Sequence, residues 1–233
     1  MAKRLSDICF IVQARLNSSR LPGKMLKPFA DSTLLEITIE KVKNSLLSEH
    51  FYLSVNEPEL IEVAKKHEVK TYLRSEQSMR NDDTVPFSLT EVFEWWDKLP
   101  YRYYIVMDAC YPLAKVNTIN EFIVAFRNLS FTGLVSAREH KHWFFKSDGT
   151  FIQDSDSEDA RITFNSKYVE PLYSSGPLKA GVLSDIGNNI YAHNYKTPPP
   201  IFLYPDDEHI DIDYLTEFNL AEQLYKLQGE YNT

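Results

Sequence analysis

Short continuous apolar runs alternate with stretches of helical periodicity through residue 136. "ICFIVQA" (residues 8–14) is apolar almost throughout, which predicts a strand buried on both faces. In "STLLEITIEKVKNSL" (32–46), Leu34, Leu35, Thr38, Ile39 and Val42 fall on one helical face, with Ser32 available as the cap. "HFYLSV" reads as a strand, and "EPELIEVAKKHE" as a helix with Pro58 in its first turn and Leu60, Ile61 and Ala64 at helical spacing. "VKTYL" predicts a short strand, and "DTVPFSLTEVFEWWDKL" a helix with Phe87, Val92, Phe93 and Trp96 along it. "RYYIVMDAC" predicts a further buried strand, "VNTINEFIVAFRNL" a helix and "FTGLVSA" another strand. Strands alternating with helices predict an α/β fold built on a doubly wound, mostly parallel sheet.

Beyond residue 138 this regularity breaks. "HKHWFFKSDGTFIQDSDSEDARITF" and "TPPPI" predict antiparallel strands and long loops, with His140 and His142 alternating in a strand. Residues 138–200 are therefore expected to form a small antiparallel accessory region, inserted before the last strand and helix of a single domain spanning 1–233. "DSDSEDA" lacks the glycine and closing Glu of a calcium loop and reads as a solvated loop. In "IFLYPDDEHIDIDYLTEFNLAEQLYKL", an apolar strand leads through Asp211 and Asp213 into a helix bearing Leu215, Phe218, Ala221, Leu224 and Tyr225.

Composition narrows the function classes. The chain of 233 residues is 43% hydrophobic and 25% charged, ordinary for a globular domain, with a net charge of -8 that argues against a nucleic-acid binder. Its two cysteines, Cys9 and Cys110, lie in or beside apolar runs and are expected to be buried free thiols. No run reaches transmembrane length, so a cytoplasmic protein without membrane contact is expected.

The candidate chemistry begins where the first strand opens into "QARLNSSRLPGK". Arg15, Arg20 and Lys24 lie on one short loop that contains no carboxylate. In a parallel sheet that loop leaves at the strand's carboxyl end, where ligands bind. A polyphosphate would satisfy the three cations, with Ser18, Ser19 and backbone N–H groups as added donors. Neither the glycine–lysine phosphate loop nor the dinucleotide glycine fingerprint is present. Near the other end of the chain, strand alternation in "HIDIDY" would set Asp211 and Asp213 on one face. Two adjacent carboxylates call for a cation, and Mg2+ completes its shell with phosphate oxygens.

These stretches carry a resemblance. "VQARLNSSRLPGKML" is similar to the signature loop of the cytidylyltransferases that make CMP-activated sugar acids, of the acylneuraminate and spore-coat polysaccharide type. The likeness continues through "LSVNEPELIEVAKKHEVKTYLRSEQSMRNDDT", "YYIVMDACYPLAKVNTINEFIVAF" and "GLVSARE", and closes in "DIDYLTEFNLAE". The resemblance implies a Rossmann-like nucleotidyltransferase fold and transfer of CMP from CTP to a sugar acid, of nonulosonic or octulosonic type, for surface glycan synthesis. Arg15 and Lys24 would hold the triphosphate, Ser18 would be a loop donor, Arg20 a further basic contact, and Arg74 would read the pyrimidine. Asp211 and Asp213 would bind Mg2+ (or Mn2+). Asp108, in "MDACYPL", stands where many relatives have a glutamine that helps hold the sugar; it is open as an acceptor contact, a metal ligand or a polar strand end. His140, just after "VSARE", and Asn189, in the family's late strand, are candidate acceptor contacts. Relatives also imply a homodimer through the accessory region.

Three other readings compete: a nucleotidyltransferase with a phosphorylated or phosphonate acceptor, a metal-dependent glycosyltransferase, and a non-catalytic nucleotide-binding module. Glycosyltransferases usually place the Asp-x-Asp pair mid-chain rather than near the C-terminus, and intact Arg15, Lys24, Asp211 and Asp213 speak against a decayed module.

Overall fold

A computed structural model describes residues 2–73, 98–150, 152, 172–183 and 198–231. Seven strands form one sheet in the order β5-β4-β1-β6-β8-β7-β9, and β2 (Pro28–Phe29) and β3 (Ser32–Thr33) form a separate hairpin. The main strands are β1 (Ile8–Gln13), β4 (Phe51–Val55), β5 (Lys70–Leu73), β6 (Tyr103–Asp108), β7 (Leu134–His140), β8 (Leu172–Val182) and β9 (Ile201–Leu203). β1 pairs in parallel with both β4 and β6, and β5 extends that parallel half. β8 lies antiparallel between β6 and β7, and β9 pairs in parallel with the outer side of β7. The sheet is mixed and mostly parallel, an α/β fold as the alternation predicts.

The continuous apolar run of β1 is explained by burial on both faces. Ile8, Phe10 and Val12 enter the main core, while Cys9 and Ile11 face a smaller cluster with Tyr104 and Leu183. The helices α1 (Leu34–Lys43), α2 (Pro58–Lys66), α3 (Val116–Asn128) and α4 (Leu215–Tyr231) all contribute side chains to the main core. The helix predicted over 83–99 falls almost wholly outside the described residues, as do "DSDSEDA" and "NNIYAH".

Local details differ from expectation in four places. The cap of α1 is Thr33, whose hydroxyl accepts the Glu36 N–H at 3.2 Å, because the helix starts at Leu34 and Thr33 is the last extended residue before it; Ser32 lies one residue too early, and its hydroxyl donates to the Glu36 carboxylate at 3.4 Å. β7 ends at His140, so His142 lies in a bend beyond the strand instead of alternating with it. The described part of 138–200 includes β8, an interior strand of the main sheet. In α4, Phe218 and Ala221 are buried, but Leu215 is exposed because the helix meets the core one turn later.

Two tethers from distant sequence fix the ends of α3. At its C-terminal end Lys3 Nζ donates to the carbonyls of Phe126, Leu129 and Phe131 at 3.0, 2.7 and 3.0 Å, where helix carbonyls lack partners and the dipole favours a cation. At its N-terminal end the buried carboxylate of Glu208 accepts the Lys115 N–H and the Thr118 hydroxyl, both at 2.8 Å. A third tether matters most for the site. Phe29 packs edge-to-face on Phe218 and Tyr225, with centroids 5.2 and 5.5 Å away, and Ala30 N–H donates to Glu222 at 2.8 Å. These contacts hold α4, and the aspartates before it, against the loop that follows β1.

Candidate active site

Sheet order reverses at β1, with β4 and β5 on one side and β6 on the other. Chain connections diverge there and leave a crevice at the strands' carboxyl ends. Gln13 and Asp108, the last residues of β1 and β6, are register partners at that edge. The loop from Ala14 to Lys27 leaves β1 directly into the crevice. Its path is fixed by Leu16 N–H donating to Glu57 Oε1 at 2.7 Å and by Gly23 N–H donating to the Leu16 carbonyl at 2.8 Å. Gly23 has φ +71°, a backbone conformation that would strain a side-chain-bearing residue. Ser18 Oγ accepts the Leu21 N–H at 3.5 Å and so shapes the loop.

The cations of this loop meet a carboxylate from the far end of the chain. Arg20 approaches Asp213 at 2.5 Å and Lys24 approaches it at 3.5 Å. Lys24 is buried, and its Nζ also donates to the Ile212 carbonyl at 2.5 Å. Burial alone would lower the Lys24 pKa, but the facing Cys110, Asp108 and Asp213 more than offset this and hold it above its ordinary value. Arg15 is half-buried on the same loop and, among the described residues, makes no ion pair.

Asp211 and Asp213 do not sit on a strand. Residues 209–214 carry no sheet pairing; the segment is held by Ile212 N–H donating to the Cys110 carbonyl at 3.0 Å. Alternation survives in the extended backbone: Ile212 is fully buried while both aspartates reach the surface. Glu217, three residues into the following helix region, closes the turn by accepting the N–H groups of Asp213 and Tyr214, both at 2.7 Å.

Asp211 converges with Asp108. A carboxylate oxygen of each lies within 4.8 Å of the other and of the Cys110 sulfur. Burial, then the charges of Asp108 and Asp213, push Asp211 from 3.8 up to about 7. A cation would relieve that repulsion, and two convergent carboxylates suit Mg2+, which prefers oxygen and keeps open positions for phosphate. Asp213 is engaged by Arg20 and Lys24, so the donor atoms that come together are those of Asp108 and Asp211.

A cleft of about 500 Å³ opens beside this centre, at the carboxyl ends of β7 and β9. Arg138, Glu139, His140, Lys141 and His142 line it from β7 and the residues after it, with Tyr204 and Asp206 from the chain after β9. Arg138 pairs with Asp206 at 2.9 Å, Lys141 with Glu139 at 2.8 Å, and His140 Nε2 lies 2.7 Å from Ser174 Oγ. Three rings bridge cleft and carboxylates: Tyr204 contacts His209, His209 contacts Tyr111, and burial followed by the nearby Asp211 and Asp108 charges raise the Tyr111 pKa.

The site-forming part of the fold is shared with known proteins. Residues 9–161 match the cytidylyltransferase family. The chain belongs to that family. A pseudaminic acid cytidylyltransferase of Campylobacter jejuni is 22% identical, over 97% of this chain and 99% of the relative. A CMP-N,N'-diacetyllegionaminic acid synthase of Legionella pneumophila is also 22% identical, over 96% and 98%. The spore coat polysaccharide biosynthesis protein SpsF of Bacillus subtilis is 32% identical over a shorter stretch, 30% of this chain and 31% of the relative. Among solved structures, a CMP:2-keto-3-deoxy-manno-octonic acid synthetase complexed with CTP superposes with TM-score 0.64 at 12% identity, over 97% of this chain and 99% of that one. A 4-diphosphocytidyl-2C-methyl-D-erythritol synthase from Anaerococcus prevotii gives 0.63 at 14%, over 95% and 96%. The chain thus has the nucleotidyltransferase fold, and no helix among its described residues is long and apolar enough to cross a membrane.

Of the residues singled out in the sequence, Arg20, Lys24, Asp108, Asp211 and Asp213 gather at one centre. Arg15 and Ser18 lie on its loop, and His140 lines the adjoining cleft. Arg74 and Asn189 lie outside the described residues. Sequence reading missed Cys110, Arg138 and Lys179. Lys179 is a half-buried lysine of β8 whose pKa is lowered by burial and raised in part by Asp108. The signal for Lys179 was present in "GPLKAGV", a cation in an otherwise apolar strand.

Proposed function

We propose that this cytidylyltransferase transfers CMP from CTP to the hydroxyl of an acidic sugar, releasing pyrophosphate, in the synthesis of a surface glycan. The observation that carries this reading is the meeting of Lys24 and Arg20 with the carboxylates of Asp108, Asp211 and Asp213 at the crevice between β1 and β6. Such an arrangement holds a triphosphate and its counter-ion together, as phosphoryl transfer by electrostatics requires.

The acceptor hydroxyl attacks the α-phosphorus of CTP; the new O–P bond forms, the bond to the β-phosphate oxygen breaks, and the hydroxyl proton is released. Lys24, rigid and desolvated, neutralises charge that grows on the phosphates, and Arg15 and Ser18 supply further loop contacts. Arg20, half-exposed, exchanges Asp213 for a phosphate oxygen. Asp108 and Asp211, with Asp213 beside them, would hold Mg2+ or Mn2+. When bound, that ion supplies Lewis-acid polarisation of the phosphate oxygens. The cleft suits an acidic acceptor by exchange: Arg138 trades the exposed Asp206 for an acceptor carboxylate, His140 and His142 offer ring nitrogens for hydrogen bonds, and the three-ring bridge adjoins the carboxylates. Relatives named for pseudaminic acid and N,N'-diacetyllegionaminic acid, and a neighbour named for 2-keto-3-deoxy-manno-octonic acid, support an acceptor of the nonulosonic or octulosonic acid type.

We also read the protein as a homodimer. Tyr173, Ile201, Leu203, Phe145 and Ile152 are all exposed in the same late stretch of chain, apolar side chains that a second copy would cover. Light scattering on the purified chain at micromolar concentration is expected to give twice the monomer mass, and a monomer would refute it.

The decisive assay incubates the enzyme with each nucleoside triphosphate, Mg2+ and a panel of sugar acids, and follows pyrophosphate release. CTP together with a 2-keto-3-deoxy sugar acid is expected to turn over. Equal release with UTP, or release only with a phosphorylated acceptor, would overturn the proposal.

A further inference from the structure

Cys110 stands out once the site is assembled. Its sulfur lies within 4.8 Å of a carboxylate oxygen of Asp108 and of Asp211, and those two oxygens are as close to each other. The thiol is held in place by the backbone on both sides: Cys110 N–H donates to Asp108 Oδ1 at 2.9 Å, and the Cys110 carbonyl accepts the Ile212 N–H at 3.0 Å. Cys9, the other thiol, is buried in the small cluster behind the sheet and lies against the Tyr103 carbonyl. Both thiols are buried, but only Cys110 is also the third corner of a donor triangle.

We propose that Cys110, Asp108 and Asp211 together form a mixed thiolate–carboxylate site that captures a thiophilic divalent cation, Zn2+ or Cd2+, in competition with Mg2+. The proposal rests on the reading of Asp108 and Asp211 as the metal-holding carboxylates. Ligands of one zinc ion stand about 3.5 Å apart, given bonds of about 2.3 Å to sulfur and about 2.1 Å to oxygen. The triangle is already drawn within 4.8 Å, so an ion has to close it by only about 1.3 Å. Mg2+ is a hard ion and leaves the thiol protonated and unbound, so it uses the two carboxylates alone. Zn2+ or Cd2+ gains the sulfur as well, with the thiol proton released to solvent as the bond forms. The enzyme thereby carries a built-in susceptibility: a soft cation occupies the place of the working ion and blocks turnover until a chelator removes it.

The test is a titration of the purified full-length chain with Cd2+, read by the ultraviolet thiolate-to-cadmium charge-transfer band. One equivalent of signal is expected from the wild type, its loss in Cys110→Ser, and a Cd2+ affinity about tenfold or more weaker in that variant. Asp108→Asn and Asp211→Asn should weaken binding while keeping the band, because the sulfur remains. Cadmium NMR on the wild-type chain reports the same sulfur ligand without any variant, and so stands if Cys110→Ser does not fold. No band or sulfur-shifted resonance in the wild type, or a band retained in Cys110→Ser, overturns the proposal. Failure is distinguishable from failure of the function. CTP turnover with Mg2+ but no cadmium–thiolate signal removes the thiol site alone, whereas the signal without turnover keeps the thiol site and removes the cytidylyl transfer.

Discussion

The crevice between β1 and β6 and the cleft beyond β7 are neighbours built on opposite plans. In the crevice, charges from distant parts of the chain close on one another: Lys24 is buried against Ile212 and Asp213, and Arg20 reaches the same aspartate. In the cleft, charges pair near the surface, Lys141 with Glu139 two residues away and Arg138 with the exposed Asp206. A site that must stabilise one transition state benefits from preorganised, desolvated charge. A site that must recognise one acceptor among many tolerates exposed groups that can be exchanged without disturbing the fold. The first is therefore expected to govern rate, and the second KM for the acceptor.

The sharpest break of that comparison is at the carboxylates. Asp108→Asn and Asp211→Asn are each expected to lower kcat by about 10³-fold, the scale for loss of a preorganised electrostatic element. Their double variant should be little worse than either, since both disable one shared ion. Steady-state kinetics with Mg2+ check this, and chelator should abolish wild-type activity. Near-normal turnover in Asp211→Asn would move the ion elsewhere.

Next come the loop cations. Arg15→Ala and Lys24→Ala are expected to reduce kcat/KM by about 100-fold, about 2.7 kcal/mol. The two should separate in stability. Lys24→Ala also leaves the Ile212 carbonyl and Asp213 short of a partner, and should cost about 1–3 kcal/mol in denaturant melts. Arg15→Ala should melt like the wild type.

In the cleft, Arg138→Ala and His140→Ala should raise the acceptor KM by about tenfold, the low end for a hydrogen bond to a charged group, with kcat and the KM for CTP held. A fall in kcat without a change in acceptor KM would erase the division of labour between the two regions.

The smallest effect is a pH dependence. Asp211 holds its proton up to about 7 when folded but only to about 3.8 when unfolded. The folded state therefore binds more protons across that window, and this residue makes the protein less stable as pH rises through it. Asp211→Asn should gain about 1 kcal/mol at pH 8, after allowance for solvent screening, and nothing at pH 4. Thermal melts at the two pH values measure it.

The crevice was more legible than the cleft because its parts are contiguous motifs. "QARLNSSRLPGK" and "DIDY" announce cations and carboxylates by residue type alone, and the strand before the loop announces their place at the sheet edge. What neither stretch reveals is pairing across the chain. The loop itself holds no carboxylate for its cations, yet Asp213 reaches two of them once α4 docks on Phe29. Asp108 and Cys110 joined Asp211 only because the Ile212 backbone bonds to residue 110, a contact no periodicity encodes. The cap of α1 is Thr33 and not Ser32 because the helix begins at Leu34, a boundary one residue later than the apolar spacing alone suggests. The cleft is assembled from the ends of β7 and β9 with a turn between Tyr204 and Asp206, three pieces that share no local signature.

β8 lies between β6 and β7, and it is made after both. On a ribosome adding about 5–20 residues per second, β6 and β7 emerge first and wait seconds for the strand that joins them. During that interval β6 presents an unpaired apolar edge, the kind of template that recruits a strand from another nascent chain. Chaperone occupancy should therefore peak on chains arrested once β7 has cleared the exit tunnel and fall once β8 has followed it.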